Sequence, residues 1–167
     1  MFDISLFENM EITERYEMMV SMLESLIMDE SEWITNLSNA TALINALIDR
    51  VSWCGFYLLK NKELILGPFQ GMPACTKIQL GKGVCGKVAE LKETIIVKNV
   101  HEVKDHIACD ASSNSEIVIP IIKDEILYGV LDLDSTEMGR FSELEKLYLE
   151  KSVEILNKYI KWETIIQ

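Results

Sequence analysis

The chain has 167 residues, 49% of them hydrophobic and 26% charged, a composition that excludes fibrous and disordered classes. One domain is expected. A chain of this size buries roughly 70% of the surface it exposes when unfolded, so its cysteines are not needed as staples. With 16 basic against 27 acidic residues the net charge is −11, a field that repels phosphate backbones and anionic lipids and argues against nucleic-acid or membrane partners.

The opening MFDISLFENMEITER carries acids but no base before Arg15, the wrong polarity for a signal peptide. Apolar runs such as IVIPII at 117–122 fall short of the roughly 20 residues that cross a bilayer. A cytoplasmic location with reduced thiols is the expectation. From Thr13 to Arg50, Met19, Leu23, Leu26 and Ile27, then Trp33, Leu37, Ala40, Ile44 and Leu47, recur at helical spacing. This predicts two helices parted near Asp29-Glu30-Ser31, with Ser31 as N-cap of the second.

From 51 the texture turns to strands: VSWCGFYLL (51–59), ELIL (63–66), TKIQL (76–80), TIIV (94–97), EIVIPII (116–122) and EILYGVLDLD (125–134). Lys60-Asn61-Lys62 and Lys123-Asp124-Glu125 are short enough for hairpins. The expected fold is α+β, a six-stranded, mainly antiparallel sheet. Helices at 1–50 and a helix at 142–162, opened by a Ser142-x-x-Glu145 capping box, flank it. Leu144, Leu147, Tyr148, Ile155, Leu156 and Tyr159 form its expected buried stripe.

Between the strands lie the residues with chemistry. GKGVCGK (81–87) leads into a short helix, with Cys85 in its first turn. The helix N-terminus, Lys82 and Lys87 are expected to lower the thiol's pKa. The competing reading is a small cysteine used for packing. The long connection 99–115 holds both histidines, His101 and His106, and Cys109; its length suggests a lid or binding loop rather than plain surface. Zinc could take Cys75, Cys85, Cys109 and His106, but a C-x2-C pair is missing. Thiol redox chemistry, in which one thiolate attacks and a second resolves the sulfenic acid, competes with it.

Asp132 and Asp134 share one strand face, and closure of the hairpin over three residues places Glu116 opposite Asp132. Facing like charges are destabilising unless water, a cation or a proton compensates. A solvated sheet face is the alternative. Trp53 and Tyr57 also share a face, as an aromatic wall or simply as core.

GPFQGMPAC (67–75), GKGVCG (81–86), HIACDASSNSEIVIPI (106–121) and GVLDLDS (129–135) together resemble the GAF-domain free methionine-(R)-sulfoxide reductases, over nearly the whole chain. The resemblance implies a single GAF domain over 1–167, with a helical segment at 1–50, the sheet and site loops at 51–134 and a C-terminal helix at 142–162. It implies a thioredoxin-dependent oxidoreductase that reduces free L-methionine (R)-S-oxide, homodimeric and without metal or organic cofactor. Cys109 aligns with the attacking cysteine, Cys85 with the principal resolving one, and Cys75 with a further relay cysteine. Glu116, Asp132 and Asp134 match the pocket carboxylates, and Trp53 and Tyr57 its aromatic lining. Cys54 departs from the family pattern, and strand alternation points it away from Trp53. A GAF-type module that binds a small molecule or senses redox state without turnover is the alternative.

Overall fold

The computed structural model describes residues 3–7, 9–103 and 112–165. Helices α1 (Ile12–Ile27) and α2 (Trp33–Leu47) come first, then strands β1 (Trp53–Lys60), β2 (Glu63–Gln70) and β3 (Lys77–Gln79). Helix α3 (Gly83–Leu91), strands β4 (Ile95–Val97), β5 (Ser115–Lys123) and β6 (Ile126–Ser135), and helix α4 (Glu143–Tyr159) complete the chain. The six strands form one sheet in the order β3-β2-β1-β6-β5-β4, every neighbouring pair antiparallel. The fold is the α+β architecture expected from the sequence.

Alternation along the strands sends side chains to two different cores. Cys54, Phe56 and Leu58 of β1 join Ile117, Ile119 and Ile121 of β5 beneath α1, α2 and α4. Trp53 and Tyr57 of β1 lie on the opposite face with Val118, Val130 and the buried side of α3. Each fully buried Leu or Ile contributes about 1.5–3 kcal/mol by leaving water. The helical layer also encloses an ionic contact: Arg140 donates from Nη1 to Glu145 Oε1 at 2.8 Å, and Tyr16 donates to the same oxygen at 3.0 Å. The Ser142–Glu145 capping box is formed as expected.

The boundaries differ from expectation where tertiary contacts outvote local signals. Ser31 is not the N-cap of α2. Glu32 occupies that position and its backbone N–H donates to the Glu30 carboxylate at 2.8 Å. Strand β2 runs on through Gly67-Pro68 to Gln70, past the expected end at Leu66. Proline is tolerated there because β3 pairs only with Glu63–Ile65, so the far half of β2 lies at a sheet edge among the described residues. On α4, Leu147 is exposed, whereas Leu149 and Val153 are buried, because the helix packs on α1 and β5 at once.

Both hairpin turns contain two residues, not three. Asn61-Lys62 and Asp124-Glu125 carry φ values of 51° and 64°, and of 51° and 65°, the primed turn that matches strand twist. Lys123 pairs with Ile126, and a further irregularity falls between Ile121 and Ile122. Together they move the register two residues on: Glu116 faces Asp134 and Val118 faces Asp132, in place of the expected Glu116–Asp132 pair. A shift of two leaves each side chain on its own face, whereas a shift of one would have inverted them all.

Candidate active site

Three central strands carry a row of side chains across the α3 face of the sheet. Trp53 on β1 lies opposite Asp134 on β6, which lies opposite Glu116 on β5. The next row places Gly55 opposite Asp132. Alternation in Leu131-Asp132-Leu133-Asp134 explains how one strand supplies both worlds: the leucines seal the helical core and the aspartates face the pocket.

Aromatic rings make one wall of that pocket. Trp53 is stacked between Tyr57 and Phe69, with ring centroids 5.8 and 5.4 Å away. Its Nε1 donates to the Met72 carbonyl at 3.1 Å, and the Tyr57 hydroxyl donates to the Cys75 carbonyl at 3.1 Å. These bonds tie the 71–75 segment over the site. Gly71, at φ +129°, is required here: a Cβ would stand 2.6 Å from Trp53 Cδ1.

Helix α3 supplies the floor. Cys85, in its first turn as expected, is buried and donates its thiol to Asp132 Oδ2 at 3.2 Å, with Glu116 Oε1 at 3.9 Å. The expected lowering of its pKa is overturned. Burial raises it well above the ordinary thiol value, and the neighbouring Asp132 and Glu116 charges raise it further. The helix terminus and the exposed Lys82 are outweighed by two carboxylates in contact with the sulfur.

The acids perturb one another in the same direction. Burial pushes the Glu116 pKa well up and the Asp134 charge adds to it. Burial, then Asp134 and Glu116, does the same for Asp132. A solvated sheet face is thereby excluded, since Glu116 and Asp132 are only 5% and 6% exposed. A carboxyl shifted upward in this way is a candidate general acid.

Trp53, Tyr57, Cys85, Glu116, Asp132 and Asp134 thus line one pocket. Cys75 lies beside it, packed partly buried against the same core and disulfide-bonded. Cys109 and His106 lie outside the described residues. His101 is not in the pocket lining; its Nε2 is 2.9 Å from Asn114 Oδ1. Cys54 faces the helical core, away from Trp53, as alternation required. Lys82, selected only for its charge beside Cys85, also lines the pocket, and so does Ser113, to which no role was assigned. The Ser113 hydroxyl is buried and unpaired among the described residues, as is Asp132 Oδ1. Ser113 lies within the 106–121 stretch that carries the resemblance, but only the fold shows that it lines the pocket.

A single antiparallel sheet with helices on both faces, and a recess under α3, define a GAF domain, and the GAF-domain family model matches residues 37–153. The free methionine-R-sulfoxide reductase of Escherichia coli is 40% identical over 151 residues, which cover 90% of this chain and 92% of that protein. The Saccharomyces cerevisiae reductase of the same name is 43% identical over 158 residues, 90% and 88% of the two chains. Among solved structures, the free methionine-R-sulfoxide reductase of Neisseria meningitidis in complex with its substrate superimposes with a TM-score of 0.89 at 38% identity, covering 95% and 96%. The chain belongs to the free methionine-R-sulfoxide reductase family of GAF domains. Among the described residues no helix is long and apolar enough to cross a membrane.

Proposed function

We propose that this protein reduces free L-methionine (R)-S-oxide to L-methionine. The observation that carries the reading is the buried set of raised-pKa carboxyls beside a thiol and an aromatic wall, in a chain that is 40% and 43% identical to two free methionine-R-sulfoxide reductases. The Cys109 thiolate attacks the sulfoxide sulfur, and a carboxylic acid of the pocket protonates the oxygen. General-acid assistance of this kind contributes about 10²–10⁴-fold. The S–O oxygen passes to Cys109 as sulfenic acid and methionine leaves with its sulfur reduced by two electrons.

A second thiol then displaces water from the sulfenic acid and closes a disulfide. The resemblance ranks Cys85 first for this step, but two features favour Cys75. Cys75 is disulfide-bonded, whereas the Cys85 thiol is free and kept protonated by its acidic neighbours. Cys85 takes the accessory place in the relay. Thioredoxin, a cytoplasmic dithiol, reopens the disulfide and is itself oxidised. The carboxylates not used as acid pair with the ammonium of the free amino acid, which an internal peptide residue lacks, while backbone donors hold its carboxylate. The reaction requires no metal or organic cofactor, and the protein acts as a homodimer.

The test is methionine release from the R epimer, the S epimer and a peptide-bound sulfoxide, each with thioredoxin. Turnover of only the free R epimer is expected. Binding without release of methionine would instead leave a small-molecule-binding or redox-sensing module.

A further inference from the structure

We propose that Cys85, Glu116 and Asp132 form a binding site for a thiophilic divalent cation of the zinc kind, and that occupancy of this site shuts the pocket to substrate. One ligand atom from each of the three lies within 4.8 Å of the others. Zinc–thiolate and zinc–carboxylate bonds of about 2.3 and 2.1 Å, at the tetrahedral angle, set sulfur and oxygen about 3.6 Å apart. The Cys85 Sγ distances of 3.2 Å to Asp132 Oδ2 and 3.9 Å to Glu116 Oε1 bracket that value. The two sulfur–oxygen edges of such a site are thus close to formed, and the third pair, Glu116 with Asp132, keeps its ligand atoms within 4.8 Å.

A second observation points to a ligand independently of the cluster. Asp132 is only 6% exposed, yet its Oδ1 has no hydrogen-bond partner among the described residues. A buried, unpaired carboxylate oxygen is costly, and a cation or an ammonium group relieves it. Asp134 lines the same pocket and adds negative charge. The thiolate selects the ion: sulfur favours zinc, cadmium or copper(I) over magnesium and calcium, which prefer all-oxygen shells. Entry is through the pocket, and binding displaces the Cys85 thiol proton to solvent.

The site differs from the zinc set considered on sequence grounds, since it uses neither Cys75 nor a histidine. It competes with catalysis because Asp132 and Glu116, the carboxyl groups that bind the ion, are among those proposed to donate a proton or receive the substrate's ammonium. That competition rests on the function proposed above; the binding itself does not.

Binding is tested on the oxidised protein, in which Cys75 is disulfide-bonded and Cys54 and Cys85 are the free thiols among the described residues. Cys54 is sealed in the helical core, at 0% exposure. Titration with cadmium alone should raise an ultraviolet thiolate-to-cadmium band that saturates at one equivalent. Cys85→Ser or Cys85→Ala should abolish it. Asp132→Asn and Glu116→Gln should each shift its midpoint at least about tenfold, the lower end of what loss of even an outer-shell partner costs. Absence of the band in the wild type, or its persistence in Cys85→Ser, overturns the proposal. So does a midpoint that neither carboxylate variant moves. In the reduced enzyme, zinc should inhibit competitively against methionine sulfoxide; non-competitive inhibition would place the ion elsewhere. Because the cadmium titration involves no turnover, a chain that fails to reduce the sulfoxide can still pass or fail it.

Discussion

Replacing Asp132 by Asn removes one ionisable group while keeping its size and its place in β6. Oδ2 accepts from Cys85, and Oδ1 is the buried oxygen free for a substrate. Loss of a charge-assisted hydrogen bond to the substrate's ammonium costs about 1.5–3 kcal/mol, which converts to roughly ten- to 150-fold in kcat/KM. If Asp132 is also the acid, the loss extends toward about 10⁴-fold. Stability should move the other way or little, because the substitution deletes a buried ionisable group whose charged form is opposed by burial, Asp134 and Glu116. The assay is steady-state methionine formation with thioredoxin, alongside a thermal melt. The ammonium role predicts a rise in KM, the acid role a fall in kcat. A variant with kcat/KM within threefold of wild type and an unchanged melt would refute the placement of Asp132 in the chemistry.

Three further outcomes are expected. Cys109→Ser should form no methionine even in a single turnover, whereas Cys75→Ser should release one equivalent and then recycle poorly; mass spectrometry of the oxidised wild type should map the disulfide to Cys75, and a Cys75→Ser steady state equal to wild type would remove it from the relay. The folded protein should lose stability as the pH rises from the ordinary carboxylate values of 3.8 and 4.5 toward the raised values of Asp132 and Glu116, because the folded state holds protons there that the unfolded chain has released; Asp132→Asn should flatten that decline, measured as Tm against pH, and an equal slope in both proteins would contradict it. Glu145→Ala should destabilise by about 3–5 kcal/mol, since it strands the buried Arg140 guanidinium. Chemical denaturation measures this, and a loss below about 1 kcal/mol would show that water replaces the pair.

Periodicity was enough to read the six strands and the two helical zones, because each strand alternates cleanly between the cores. The same alternation exposed the acids and the aromatics: Asp132 with Asp134, and Trp53 with Tyr57, are pairs two and four residues apart on single strands. What it could not supply was the pairing of Glu116. That depends on a two-residue turn at Asp124-Glu125 and on an irregularity near Ile121 that no residue type announces. Cys85 was placed in the right turn of α3 but given the wrong electrostatics. Lys82 and Lys87 are near in sequence, whereas Asp132 and Glu116 are near only in the folded chain, and contact outweighs a helix terminus. Strand β2 ran past the expected end at Leu66 through Gly67-Pro68, because edge position, which tolerates the proline, is a property of the sheet and not of the dipeptide. Ser113 stood within the 106–121 stretch of the resemblance, but nothing in the sequence said that it would face the recess.

Surface connections usually absorb insertions harmlessly, and the tip between β5 and β6 looks like a natural place for a tag or a graft. Here it is a poor one. A single added residue that slipped the ladder by one step would carry Glu116 under the helices and bring its neighbours Ser115 and Ile117 round to the recess, so the enzyme would lose its acid without losing an atom of it. Engineering at that tip should therefore proceed in even increments, or use the Asn61-Lys62 tip only under the same constraint, because β1 holds Trp53 by an identical device.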